Sequence, residues 1–96
     1  MTLRSRKLLD LAREAPCFLE LGPCFGQVVA CHSDQLADGR GVGHKSADCL
    51  AVPGCVDCHA KFTRAHLGRG QYEVVHTKAL KRFIVWQWEN DKVKVA

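Results

Sequence analysis

The sequence predicts a single small α+β domain spanning residues 1–96, and three observations carry that prediction. Apolar residues recur at three- and four-residue steps near both ends of the chain, a β-branched segment lies between them, and six cysteines crowd into 96 residues. A chain of this length buries a core with little surface to spare, so a covalent or metal staple would help it fold. The composition is 47% apolar and 25% charged, with 8 Gly and 3 Pro, which excludes a disordered or fibrous chain.

The first element is a short amphipathic helix between Leu3 and Ala15. Leu8, Leu11, Ala12 and Ala15 share one stripe, Arg4, Arg6 and Lys7 lie largely on other faces, and Pro16 ends the helix. Cys17 and Cys24 bracket a turn containing Gly22 and Pro23, a shape that lets two thiolates face one ion. Residues 27–32 (Gln-Val-Val-Ala-Cys-His), bounded by Gly26 and Ser33, read as a strand ending at His32. Residues 33–54, with Gly39, Gly41, Gly43, Pro53 and Gly54, read as one long loop; loops of that length in a compact domain are often functional.

From Cys55 to Leu67 the chain reads as a turn running into a helix, with Val56, Ala60, Thr63 and Leu67 on one stripe and Gly68 and Gly70 ending it. Tyr72, Val75, Ala79, Phe83 and Trp86 mark a second helical stripe, expected to be the main core element. Trp88 is expected in the core with them, and His66 and His76 are expected to be structural or solvent-facing. Lys78, Lys81 and Arg82 read as a solvated helix face, and Lys92 to Val95 as a short terminal strand.

The residues after Met1 carry positive charge with no apolar stretch behind it, and no run of about 18 apolar residues occurs, so a cytoplasmic protein is expected. In a reducing compartment six cysteines point to metal ligation more than to disulfides. Cys55-Val56-Asp57-Cys58 is a CxxC pair of the kind that fills two corners of a zinc tetrahedron. Cys17 and Cys24, six residues apart across Gly22-Pro23, are assigned the other two. Cys31 and Cys49 read as core or loop thiols, and either could instead replace Cys17 or Cys24. Cys55 to His59 also matches the c-type haem attachment signal, but that signal needs export, Met1 is the one methionine for a sixth ligand, and the other four cysteines would have no role. A net charge of +4 is compatible with a phosphate-bearing partner.

A strand ending in His32, a glycine-rich loop and a helix opening on Cys55 to His59 together resemble the HNH, or ββα-metal, endonuclease motif. In order and spacing, Arg4 to Arg13, Cys17 and Cys24, Val28 to His32, Gly41 to Lys45 with Asp48, Cys55 to His59, residues 84–86 and Val93-Lys94 are similar to the small prophage-encoded YbcO-like nucleases. That resemblance implies a metal-dependent endonuclease acting on nucleic acid, DNA in a phage or prophage setting, with a structural zinc bracing the site. It implies His32 as general base, a task suited to imidazole, which ordinarily titrates near neutrality. It implies His59 and Asp48 around a catalytic Mg²⁺ or Mn²⁺, and Arg40 and Lys45 as phosphate contacts. Two departures stand out: Cys31 precedes the histidine where an acidic ligand is common, and Leu50 occupies the usual place of the central asparagine, with Asp48 two residues earlier. The alternative is a zinc knuckle that binds nucleic acid or protein without catalysis and makes no use of His32, His59 or Asp48.

Overall fold

The computed structural model describes residues 4–33 and 46–93. Its element order is helix α1 (Arg6–Glu14), strand β1 (Val28–Cys31), a 3₁₀ turn (Asp48–Leu50), strand β2 (Val52–Cys55), and helices α2 (Val56–Lys61), α3 (Arg64–Leu67) and α4 (Arg69–Glu89). The expected α+β class holds. Helix α1 starts where the Ser5 hydroxyl accepts the Leu8 backbone N–H at 3.3 Å and stops ahead of Pro16. Its buried Ala12, with Ala15, meets Phe83 of α4, while Leu11, Phe18, Ala30 and Trp86 pack around them.

The expected loop over residues 33–54 is wrong at its end, where β2 pairs antiparallel with β1 in the register Val28↔Cys55, Val29↔Gly54, Ala30↔Pro53 and Cys31↔Val52. Pro53 and Gly54 disguise this strand in the sequence. Among the described residues the sheet has two strands, so each has an outer edge, where a residue lacking an N–H donor is tolerated. Gly54 is required by close packing: a Cβ there would collide with the Leu19 side chain and lie 2.9 Å from the Cys31 sulfur. The β2 residues are all buried, because helix α4 and the segment before β1 cover them.

The expected single helix from Cys55 to Leu67 is two helices. Phe62 leaves helical geometry, and the Thr63 hydroxyl accepts the His66 N–H at 3.0 Å to start α3 afresh. Gly68, at φ 79°, then turns the chain into α4, a left-handed conformation that favours glycine; Gly70 sits inside α4 and ends nothing. The α4 stripe is as expected, with Tyr72, Val75, Ala79 and Phe83 buried, and Trp86 half-buried against Phe83. Trp88 departs from expectation at 53% exposed, since it follows Trp86 by two positions and so lies on a different helix face. Lys92 and Val93 form no strand, and residues 94–96 lie outside the described residues.

The core gathers Leu19, Cys31, Val52, Cys55, Cys58, Phe62, Tyr72, Val75 and Ala79. At its centre the Phe62 and Tyr72 rings stack at 4.2 Å and 8°. Among the described residues no helix is long and apolar enough to cross a membrane.

Candidate metal centre and histidine site

Two constellations sit at the ends of the β-hairpin. The first is the thiol cluster. Strand β2 delivers Cys55 to the N-cap of α2, and Cys58 follows one turn later, so both sulfurs turn to the same side. The segment from Cys17 to Gly26 wraps across them. It is tied to the sheet by the Phe18 N–H to the Pro53 carbonyl at 3.0 Å and by the Val56 N–H to the Gln27 carbonyl at 3.1 Å. Gly22, at φ 146°, makes the turn between the two cysteines with a backbone conformation that side-chain-bearing residues avoid.

The sulfurs of Cys17, Cys24, Cys55 and Cys58 all lie within 4.8 Å of one another, with Cys24 and Cys58 at 4.0 Å. Four sulfurs around one zinc ion stand about 3.8 Å apart when each bond is about 2.3 Å, so a small contraction closes the tetrahedron. Backbone amides favour charged sulfur here. Burial works against ionisation of Cys55, yet the N–H of Cys58, at 3.4 Å, and that of Phe25 both point at its sulfur, and its titration moves down. The Leu21 N–H does the same for Cys58, whose burial still moves it up. A zinc ion bound there would link the chain around Cys17 and Cys24 to the β2–α2 corner.

The other two cysteines are placed elsewhere. Cys31 is fully buried at the end of β1 opposite the Val28↔Cys55 pair, with its sulfur toward Gly54 and donating to the Val29 carbonyl at 3.7 Å. Burial pushes its thiol up to about 12, with Cys17 and Cys55 adding to the rise, so it stays neutral. Cys49 is exposed on the 3₁₀ turn. Neither replaces one of the four clustered thiols.

The second constellation is at the end of β1. The His32 Nε2 and Asp48 Oδ1 are 2.8 Å apart. Asp48 is only 5% exposed and accepts from two further donors: Arg4 NH1 reaches Oδ1 at 3.1 Å and the Ser5 backbone N–H reaches Oδ2 at 2.6 Å. Burial opposes ionisation of Asp48, but the hydrogen bond from His32, then those of Ser5 and Arg4, outweigh it and hold the carboxyl below its ordinary value of 3.8. An ionised carboxylate accepts only, so Nε2 carries the imidazole proton and the lone pair of neutral His32 is on Nδ1.

The 3₁₀ turn that carries Asp48 is itself pinned from below. His76, buried on α4, donates its Nε2 proton to the Leu50 carbonyl at 2.8 Å and stacks near Phe62. Sequence patterning identified the helix position of His76 but not this burial or its partner.

His59 is exposed on α2, one residue past Cys58. Among the described residues, His32 and Asp48 hydrogen-bond to each other, and Asp48 also to Arg4 and Ser5, with His59 not among these partners. Among the described residues, the thiol cluster is the one place where three or more ligand atoms of His, Cys, Asp or Glu converge, so the set expected for Mg²⁺ or Mn²⁺ is not assembled around His59 and Asp48. Arg40, Lys45 and His44 lie outside the described residues. Arg4 and Ser5 join the site without any signal in the local sequence, since their partner is more than forty residues away. No protein-family model, curated protein or solved structure matches this chain.

Proposed function

We propose that this protein is an endonuclease that hydrolyses nucleic-acid phosphodiesters, with DNA as substrate, on an HNH-like ββα unit braced by zinc at Cys17, Cys24, Cys55 and Cys58. The observation that carries the reading is the His32–Asp48 hydrogen bond at the end of β1, made within a β-hairpin whose second strand runs straight into a helix bearing the CxxC pair. A histidine held through one nitrogen by a buried carboxylate presents the other as a base of fixed direction.

In this reading Nδ1 of His32 takes a proton from a water molecule as the water oxygen bonds to phosphorus. The ester bond to the leaving oxygen breaks, and that oxygen is protonated from solvent. Asp48 is a positioning residue: it fixes the tautomer and stabilises the imidazolium that forms. Its oxygens are already engaged by His32, Arg4 and Ser5, which argues against the metal-ligand role expected from resemblance. His59, on the exposed side of α2, is the remaining candidate to hold Mg²⁺ or Mn²⁺, an ion that would neutralise charge at the phosphate.

The test is nicking of supercoiled plasmid by purified protein with Mg²⁺ or Mn²⁺. His32→Ala is expected to lose activity by about 10²-fold or more while zinc content stays unchanged. If the protein binds DNA in a salt-dependent way that His32→Ala does not alter, and cleaves no form of DNA or RNA, the non-catalytic zinc knuckle is the correct reading.

A further inference from the structure

Helix α4 is apolar on two sides. One side is the buried stripe of the core; on the other, Val74, Ile84, Val85 and Trp88 are between 46% and 59% exposed. Six large apolar side chains are exposed among the described residues, and these four belong to one helix. A helix that is apolar all round is ordinarily buried all round, whereas α4 meets the rest of the chain with one side only. Two hollows lie end to end along its outer side. One, of about 380 Å³, is lined by Val74, Lys78 and Lys81; the other, of about 390 Å³, by Lys81, Val85 and Glu89.

The charges on this side select what covers it. Arg82 pairs with Glu20 and Lys92 with Glu14, but Glu73, Lys78, Lys81, Glu89 and Asp91 make no ion pair among the described residues. The two lysines sit in the middle of α4, and Glu89 and Asp91 at its C-terminal end. Three acids beside four apolar side chains suit neither a nucleic-acid backbone nor an anionic lipid surface, both of which ask for a surplus of cations. An acidic helix from another protein would be repelled at both ends of α4.

A second α4 running antiparallel matches the pattern. With a two-fold axis between Ile84 and Val85, helical spacing sets Ile84 across from Val85 of the second copy and Lys81 across from its Trp88. Lys78 then falls near its acidic end, Glu89 and Asp91. The indole reaches the place where the two hollows meet, with the Lys81 ammonium against its face, a favourable cation–π pairing. A parallel alignment would instead set Lys78 and Lys81 against their own counterparts.

We propose that the outer side of α4 is the interface of a two-fold homodimer, in which two α4 helices pack antiparallel about Ile84 and Val85. This dimer does not depend on the nuclease reading. One pair of helices makes a small interface, about 1,200 Å² or less in total, so a dissociation constant of about 1–100 μM is expected.

The experiment is sedimentation equilibrium of the full chain from about 2 to about 500 μM, a range that brackets an interface of this size. Melting temperature is recorded for every variant. Val85→Glu puts two carboxylates at the axis and is expected to weaken the dimer by about 100-fold or more. Lys78→Glu is expected to weaken it by about tenfold, since two-fold symmetry counts each pair twice, and Lys78→Glu with Glu89→Lys is expected to recover most of that loss. Should Val85→Glu lower the melting temperature, Trp88→Gln takes its place, with a loss of about tenfold expected.

A native chain that stays monomeric throughout, or a dimer that Val85→Glu and Trp88→Gln leave intact, overturns the assignment. A dimer that Val85→Glu dissolves but the double charge reversal does not restore overturns the antiparallel arrangement. A monomer whose binding to phosphatidylglycerol vesicles or to a DNA duplex is lost in Val85→Glu gives this face to that partner and overturns the dimer. Plasmid nicking enters none of these outcomes, so the nuclease reading stands or falls separately.

Discussion

Replacing Cys58 by serine tests whether the four clustered thiols act as one ligand set. A domain of 96 residues has a folding stability of about 5–14 kcal/mol, and a structural zinc in a small thiolate site contributes an apparent free energy of about 10–16 kcal/mol. The two are of the same size, so the metal-free domain is expected to be largely unfolded or close to it. Cys58 is fully buried, and its backbone N–H also holds the Cys55 sulfur, so losing its thiolate opens the tetrahedron at the side facing the core. Even a partial loss of about 3 kcal/mol lowers the melting temperature of a domain this size by roughly 12 °C or more. Cys31→Ala is the control from the same core. It removes one sulfur from a packed site and is expected to cost about 1 kcal/mol, roughly 4–8 °C, with zinc retained. The assay is zinc per chain by elemental analysis beside a thermal melt, each with and without a chelator. Native protein and Cys31→Ala should both carry one zinc and lose it to the chelator with a large fall in melting temperature, while Cys58→Ser carries less. Full zinc occupancy in Cys58→Ser, or its loss in Cys31→Ala, would refute the ligand assignment.

Two further perturbations address the hairpin and the carboxylate. Asp48→Asn is expected to cost about 2–4 kcal/mol at neutral pH, because a buried acceptor of three hydrogen bonds loses its charge. The folded carboxyl titrates below its ordinary value of 3.8, so the stability it contributes is complete above the unfolded value and is lost as pH falls through the folded one. The gap between native and Asp48→Asn in urea unfolding should therefore be constant above about pH 5 and narrow below about pH 4; a gap that widens on acidification contradicts the direction of the shift. Gly54→Ala is expected to destabilise by about 1–3 kcal/mol through its clash with Leu19 and Cys31, and Leu19→Ala in the same chain should cost less than it does alone. Strict additivity in that cycle, read by denaturant unfolding, would show that the close approach does not exist in solution.

Periodic elements were legible from the sequence because their signal is local. The α4 stripe of Tyr72, Val75, Ala79 and Phe83 repeats at helical spacing and packs as that spacing demands. Cys55 and Cys58 were legible for the same reason, since one turn of helix beginning at an N-cap brings both sulfurs to one side. Strand β2 was not, because Pro53 and Gly54 carry turn propensity; Pro53 is tolerated at the outer edge of the sheet, where its carbonyl accepts the Phe18 N–H, and Gly54 is required by the closeness of Leu19 and Cys31. The break at Phe62 and Thr63 was hidden by an apolar stripe that runs on across two helices.

The sequence by itself determined the class of the fold, the helical core face and the presence of a cysteine cluster that could hold a metal, all of which depend on spacing within a few residues. Only the tertiary structure decided which four of six cysteines converge, because Cys31 and Cys49 differ from Cys17 and Cys24 in where their backbone lies and not in their neighbours along the chain. It also decided that Asp48 serves His32 and Arg4. That carboxylate meets Arg4 across forty-four positions and His32 across sixteen, and it is held there by His76 from a third element through Leu50. Hydrogen bonds of such sequence separation follow from how packed elements bring distant backbone together, a property no local pattern of residues encodes.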